Sequence, residues 1–179
     1  RGQSAPAAAR GLARTLGRIR HTVQISGPAL APAAHAERIL RSLPRWFGIE
    51  EALLQYAADS NRYPTFLAEE REPVGFITVR EHFQGSWEVH CVAVHAVHRS
   101  KGIGRRLHAH TEAWLQQQGV RILQVKTLAA AHPSPEYAET RRFYDAMGYT
   151  PLEVFPTLWG PKLPVLQLVK SFALREDAA

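Results

Sequence analysis

The stretch EVHCVAVHAVHRSKGIGRRL, residues 88–107, predicts a strand, a glycine turn and a helix in succession. Its first seven residues are mostly apolar and rich in valine, which is typical of a buried strand. Gly102 and Gly104 follow in a short polar turn, and Ile103 and Leu107 begin a helical apolar pattern. The first N–H groups of a helix lack partners within it, and glycines let a ligand approach the backbone closely. The stretch therefore predicts a turn that binds a phosphate or another anion.

Basic residues flank this turn, but two common phosphate loops are excluded. Lys101, Arg105 and Arg106 place positive charge beside the glycines. A dinucleotide fingerprint needs a third glycine where Leu107 stands, and a Walker loop needs Gly-Lys followed by Ser or Thr. A Gly-x-Gly turn without those features is a weak indication by itself, because such turns also serve simply to end strands.

Two longer patterns connect the turn to a known family. The pattern VxVxxxxRxxGxG over residues 92–104 resembles the acetyl-CoA motif of the GNAT family of N-acetyltransferases. The segment TRRFYDAMGY, residues 140–149, is similar to the fourth helix of that family and the beginning of the strand after it. The resemblance extends over roughly residues 22–172.

Three positions depart from the family pattern. Ala96 stands where a proline usually precedes the turn. Tyr137 and Thr140 stand where many members have asparagine and alanine. The last two substitutions concern the usual side-chain contact with the pantetheine arm of the cofactor, and they do not concern the fold.

The order of predicted elements is mixed α/β, as in that family. The resemblance implies a GNAT fold, in which a twisted, mixed and mostly antiparallel sheet of six to seven strands is flanked by about four helices. We expect a basic tail at residues 1–20 and one acetyltransferase domain at residues 21–179. A chain of this length is most simply one domain with a substantial core.

The resemblance also implies which residues hold acetyl-CoA, the expected cosubstrate. The N–H of Val92 would face the thioester carbonyl, the N–H groups of residues 101–106 would take the pyrophosphate, and Tyr144 would protonate the CoA sulfur. The expected cofactor contacts are Val92, Val94, Arg99, Lys101, Gly102, Ile103, Gly104, Arg105, Arg106 and Tyr144. We expect no metal, because the histidines form no cluster with cysteine or carboxylate at ligand spacing.

Transfer to an amine needs a base, and two residues of the predicted strand are candidates. Strict alternation places Glu88 and His90 on one face with Val92 and Val94, and it places Cys91 on the opposite face as core packing. Glu88 matches the glutamate base of histone-acetyltransferase members of the family. His90 is the alternative base, because histidine ordinarily titrates near neutral pH.

Two aromatic turns are candidates for the acceptor site. Trp46 and Phe47 belong to one turn, and Trp159 belongs to the link between the last two predicted strands. Loops lie at the surface, where large apolar groups are kept when something covers them. In a GNAT-like arrangement both turns border the acceptor side, so they would form an apolar wall beside Glu88. The alternative is that Trp46 and Trp159 pack on each other as a lid over the core.

Composition and charge argue against several other classes of protein. The 179 residues are 45% apolar and 21% charged, as in an ordinary globular domain. No apolar run approaches the roughly 20 residues that span a bilayer, and a single cysteine agrees with a reducing compartment, so we expect a cytoplasmic protein. Five arginines and no acidic residue lie in residues 1–36, so the net charge of +6 belongs mainly to the tail. We therefore expect neither nucleic acid nor a membrane as the partner of the body.

The predicted function is transfer of an acetyl group from acetyl-CoA to a primary amine of a small molecule or peptide, by a monomer or homodimer. Two alternatives stay open. One is a non-catalytic domain that binds and senses acyl-CoA. The other is a tail-driven binder of nucleic acid or membrane surfaces, which would lose affinity steeply with salt.

Overall fold

Seven strands and four α-helices form in the part of the chain that the computed structural model describes, residues 22–173. This confirms the predicted mixed α/β fold, and the predicted tail at residues 1–20 lies outside the described range. Among the described residues, no helix combines the length and the apolar character that crossing a membrane requires. The strands are β1 (Gln24–Ser26), β2 (Thr65–Glu69), β3 (Pro73–Phe83), β4 (Ser86–Val94), β5 (Ile122–Leu128), β6 (Thr150–Phe155) and β7 (Val165–Ser171). The helices are α1 (Ala33–Arg41), α2 (Glu50–Asp59), α3 (Ile103–Gln117) and α4 (Pro135–Ala146).

The strands form one sheet in the order β1-β2-β3-β4-β5-β7-β6. Every neighbouring pair is antiparallel except β4 and β5, which are parallel and are joined by the crossover through α3. The β4–β5 pairing runs only from Ser86 opposite Ile122 to Val89 opposite Val125, although both strands continue beyond these residues. A gap therefore opens in the sheet between the carboxyl ends of β4 and β5.

A β-bulge interrupts β4 at the edge of this gap. Thr78 of β3 lies opposite Cys91, and the next residue of β3, Val79, lies opposite Val89. His90 is thus an extra residue without a partner across the pair, which is the defining feature of a bulge.

The bulge reverses the alternation that the sequence predicts. Cross-strand partners share a face, so Glu88 lies on the face of Cys91, toward α1 and α2, whereas Val92 and Val94 lie toward α3. The prediction that Glu88 shares a face with Val92 and Val94 is therefore wrong, because it assumed an unbroken strand. The same assumption placed Cys91 opposite Glu88, and that placement is wrong for the same reason.

Each face of the sheet has its own apolar core. On one face, α3 contributes the fully buried Leu107 and Leu115. On the other, α1 contributes the fully buried Ile39 and Leu40. Cys91 belongs to the second core, which confirms its predicted packing role, and burial raises the pKa of its thiol.

Candidate active site

A cleft of about 400 Å³ occupies the gap between the diverging strands. Residues 89–94 of β4 line one side and residues 125–127 of β5 line the other. The glycine turn and α4 border it from the α3 face, and the loop between α1 and α2 approaches it from the opposite face. A parallel pair that separates in this way leaves the carboxyl ends of its strands open to a ligand, as in other α/β sheets.

The glycine turn presents a row of unsatisfied donors at this cleft. Gly102, with φ of +78°, begins α3 in the left-handed region, and no side chain caps the helix. Within residues 22–173, the N–H groups from Ser100 through Arg105 have no hydrogen-bond acceptor. A Cβ added at Gly102 would meet nothing within 4 Å, so the approach to these donors is open. The turn therefore fits a bound phosphate, as the sequence predicts.

The basic side chains near the turn have different surroundings. Arg105 is exposed and lines the cleft. Arg106 faces away, because its guanidinium donates to the Val23 carbonyl and its N–H donates to the Gly102 carbonyl. The predicted run of unpaired N–H groups thus ends at Arg105. Lys101 donates its Nζ to the Val97 carbonyl at 3.1 Å.

The hydroxyl of Thr127 is a further polar group in the cleft without a hydrogen-bond partner among the described residues. Thr127 lines the cleft from β5, and its Oγ1 is buried. Buried hydroxyls normally have a partner, so this site is polar, enclosed and incomplete. A ligand amide or carbonyl in the cleft would satisfy it.

Tyr144 reaches the cleft from α4. The residue is only 4% exposed, it lines the cleft, and its hydroxyl makes no hydrogen bond to any residue in 22–173. Burial raises the pKa of this phenol, and the nearby Cys91 adds to the effect. The hydroxyl therefore stays protonated and can act as a proton donor.

Glu88 is enclosed in an ion-pair cluster behind the cleft. Its Oε1 lies 2.8 Å from Lys126 Nζ, and its Oε2 lies 2.6 Å from His82 Nε2. Burial alone raises the pKa of the Glu88 carboxyl, but Lys126 and His82 outweigh that effect, and its pKa lies below the ordinary value. Lys126 lines the cleft, whereas Glu88 does not.

His90 lines the cleft directly and is held by a carboxylate from α2. Its Nε2 lies 2.9 Å from Asp59 Oδ2, and both side chains are largely buried. Asp59 is held in turn by Gln55, which donates to Oδ1 at 2.9 Å. Because a carboxylate accepts, the pair favours the tautomer with the proton on Nε2 and a lone pair on Nδ1. The rings of Tyr56 and Tyr63 pack edge-on to His90 at 5.2 and 5.6 Å.

Trp46, Phe47 and Trp159 all line the cleft, as the acceptor-wall prediction requires. Within residues 22–173, no ring contact joins Trp46 to Trp159, so the two do not stack as a lid. Trp46 is instead fixed to α4: its Nε1 donates to Thr140 Oγ1 at 3.2 Å, and its carbonyl accepts from Tyr137 Oη at 3.0 Å. Tyr137 and Thr140 of α4 thus hold the aromatic turn.

Four residues that the structure brings to this region were not predicted from the sequence: Tyr56, Asp59, Lys126 and Thr127. Asp59 and Tyr56 lie three residues apart on α2, so they share a helix face, and this spacing was the one signal that could have found them. Lys126 belongs to β5, and its pairing with Glu88 depends on the register of β4 against β5.

Comparison with known proteins associates this fold and cleft with acetyltransferases. The family model described as the acetyltransferase (GNAT) family matches residues 34–149. No curated protein matches the sequence significantly.

Many solved structures match the fold. A Desulfovibrio desulfuricans protein assigned to the GNAT family of acetyltransferases has 19% identity and a TM-score of 0.72, over 85% of this chain and 100% of that one. An aminoglycoside 6'-N-acetyltransferase complexed with coenzyme A has 20% identity and a TM-score of 0.67, over 86% and 99% of the two chains. The ribosomal-protein-S18-alanine N-acetyltransferase from Escherichia coli has 18% identity and a TM-score of 0.65, over 88% and 99%. At these identities the likeness shows the fold alone.

Proposed function

This chain belongs to the GNAT acetyltransferase family, and we propose that it transfers the acetyl group of acetyl-CoA directly to a primary amine held beside His90. One observation supports the proposal most directly. A single cleft crosses the sheet, with unpaired N–H groups at one end, the Tyr144 hydroxyl within it, and the His90–Asp59 pair on its wall. An amine and a thioester that enter from opposite faces would meet between these groups.

The cofactor end of the cleft fits coenzyme A. The N–H groups from Ser100 through Arg105 hold the pyrophosphate, and the Arg105 side chain adds positive charge there. Val92 and Val94 line the cleft between this turn and His90, and the role of the Val92 N–H toward the thioester stays a prediction. Thr127 Oγ1 offers its missing hydrogen bond to an amide of the pantetheine arm.

The chain supplies two proton transfers. When bound, acetyl-CoA provides a thioester whose C–S bond breaks as the amine nitrogen forms a C–N bond, which gives an amide, a free thiol and one proton. Nδ1 of His90 accepts a proton from the ammonium, because Asp59 holds the Nε2 proton in place. Oη of Tyr144 donates a proton to the leaving sulfur, since burial keeps this phenol protonated, and the second proton that the nitrogen loses as the amide forms restores the phenol.

The geometry favours His90 over Glu88 as the base. Glu88 matches the glutamate base of some family members, but in this chain Lys126 and His82 already use both of its oxygens. A carboxylate with a lowered pKa is also a weak base, because basicity falls with pKa. His90 lines the cleft, and Nδ1 has no partner among the described residues.

Binding and turnover test this proposal together. Acetyl-CoA at about 100 times its dissociation constant should stabilise the protein by roughly 2.7 kcal/mol. Gly104→Val should abolish the shift, because the larger side chain blocks the phosphate approach. A Cβ at Gly104 lies 3.5 Å from Phe143, so a side chain can start there without a backbone clash. Ala109→Val, on the exposed part of the same helix, is the matched control and should retain the shift.

Release of free thiol in the presence of an amine panel then measures transfer. Amine-dependent thiol release that is lost in Gly104→Val supports the proposal. Binding of acetyl-CoA without thiol release for any amine would instead identify a domain that senses acyl-CoA, and it would overturn the proposal.

A further inference from the structure

The acceptor end of the cleft is a row of aromatic rings that ends at the proposed base. The Phe47 and Tyr56 rings meet edge to face at 6.0 Å, and Tyr56 meets His90 at 5.2 Å. Trp46 lies in the same turn as Phe47, and Trp159 faces the cleft from the link between β6 and β7. Trp159 is 39% exposed, so part of its indole is available to a ligand.

The carboxylates at the cleft and behind it are already paired. Glu139 is the one carboxylate among the described residues that line it, and it lies 3.1 Å from the Arg99 guanidinium. Asp59 is bonded to His90, and Glu88 is bonded to Lys126. A second ammonium would be recognised most strongly by a carboxylate that can pair with it, and the cleft offers none that lacks a partner within residues 22–173.

Arg99 contacts both Glu139 and the aromatic row. Its guanidinium lies 4.0 Å from the centre of the Trp46 ring while it also pairs with Glu139. A cation over the indole face is stabilised by the ring, so one face of Trp46 is occupied. Within this row, Phe47, Tyr56 and Trp159 are the rings of the described residues that have no cation over them, so they offer their faces to an incoming ligand.

We infer that the acceptor is an amine with a single positive charge on an aromatic or bulky apolar body, a conclusion that rests on the proposed transfer function. The body packs between Trp159 and the Phe47–Tyr56 pair, where apolar surface is removed from water. The ammonium then enters beside His90 among ring faces that attract a cation. Loss of water from the ammonium favours its neutral form, which assists removal of its proton. A polyamine or aminosugar would bring further ammonium groups that find no partner.

An amine panel at saturating acetyl-CoA tests the inference. The panel contains 2-phenylethylamine, a short peptide amide that begins with phenylalanine, putrescine and kanamycin. The first two share the required chemistry and distinguish a free amine from a peptide end. We expect at least one of them to exceed both polycations in kcat/KM by about tenfold or more, the scale on which apolar pockets discriminate.

Trp159→Ala sharpens this test. It should raise KM for the preferred aromatic amine by about tenfold and leave KM for acetyl-CoA unchanged. Phe83→Ala is the matched control, because Phe83 is 79% exposed and lies outside the cleft, and it should change neither value.

Each outcome distinguishes the inference from the proposed function. Faster turnover of putrescine or kanamycin would overturn the inference and leave the acetyltransferase function standing. An equal KM for the aromatic amine in Trp159→Ala and wild type would also overturn it. Bound acetyl-CoA without thiol release for any member of the panel would overturn the proposed function itself.

Discussion

Two carboxylate–histidine pairs flank β4, and their surroundings give them different chemistry. In one pair, Glu88 of β4 bonds His82 of β3 at 2.6 Å. In the other, His90 of β4 bonds Asp59 of α2 at 2.9 Å. The pairs resemble each other in distance and burial, so neither property distinguishes the pair whose histidine lines the cleft from the pair whose histidine does not. What differs is which member reaches the cleft and what else holds the carboxylate.

The Glu88 pair is closed by a third member. Lys126 takes the remaining carboxylate oxygen at 2.8 Å, and the histidine of this pair lies outside the cleft. In the Asp59 pair the histidine itself lines the cleft, and the carboxylate behind it fixes the tautomer. The bulge at His90 produces this arrangement, because it brings the histidine to the rim of the gap in the sheet. A strand without the bulge would have no such residue there.

The largest expected effect on catalysis belongs to His90. His90→Gln should lower kcat by about 100- to 10,000-fold, the range typical for loss of a general base, with little change in KM for acetyl-CoA. His35→Gln, an exposed substitution on α1, is the matched control and should keep full activity. Steady-state kinetics with saturating acetyl-CoA measures both variants. If His90→Gln kept full kcat, His90 would not be the base, and the two pairs would not differ in their contribution to catalysis.

Asp59→Asn should give a smaller loss, because Asp59 acts through His90. Asparagine presents an oxygen as well as an NH2 group to Nε2, so only part of the protein takes the tautomer with the proton on Nδ1 and lacks the basic lone pair, and the rest keeps it. We expect kcat to fall by less than about 100-fold. The double variant tests the route of the effect: Asp59→Asn should cost nothing more in a His90→Gln background. If the two losses in kcat instead multiply, Asp59 acts independently of His90 and is not its positioning residue.

The sequence predicts the geometry of the glycine turn far better than the surroundings of His90, for a physical reason. The turn from Arg99 to Gly104 is contiguous, so local backbone preferences and one helix terminus determine its geometry. The run of unpaired N–H groups follows from that local pattern almost residue by residue. The fold follows similarly, because the apolar periodicity of each element is a local property.

The surroundings of His90 depend on residues that are distant in the sequence. Asp59 lies 31 positions before His90, and only the packing of α2 on the sheet brings them together. The bulge depends on the register between β3 and β4, which a period-two pattern cannot reveal, since one extra residue reverses every later side chain. The incorrect face assignment of Glu88 follows directly from this. Its partner Lys126 is likewise set by the register of β4 against β5.

We expect substitution of Glu88 to have the smallest effect on catalysis. Its effect on the stability of the protein should depend strongly on pH. Burial alone raises the pKa of this carboxyl. Lys126 and His82 lower it by more than burial raises it, so the folded-state pKa lies below the unfolded one. Such a group contributes stability above its unfolded pKa of about 4.3, and the contribution is lost as the pH falls through the folded pKa. Glu88→Gln should therefore be less stable than wild type at pH 7, where Lys126 loses its partner, and the difference should shrink as the pH falls below about 4.

Chemical denaturation of both proteins at pH 7, 5 and 3.5 measures this difference, with the exposed Glu153→Gln as a control that should show no comparable pH dependence. The same Glu88→Gln protein also completes the comparison of the two pairs, because its kcat at pH 7 should stay within a few-fold of wild type if Glu88 only stabilises the fold. A fall in kcat as large as that of a lost base, with native stability retained, would return the base to Glu88. The ion pair with Lys126 would then have to open during turnover, and Lys126→Met should change kcat together with it.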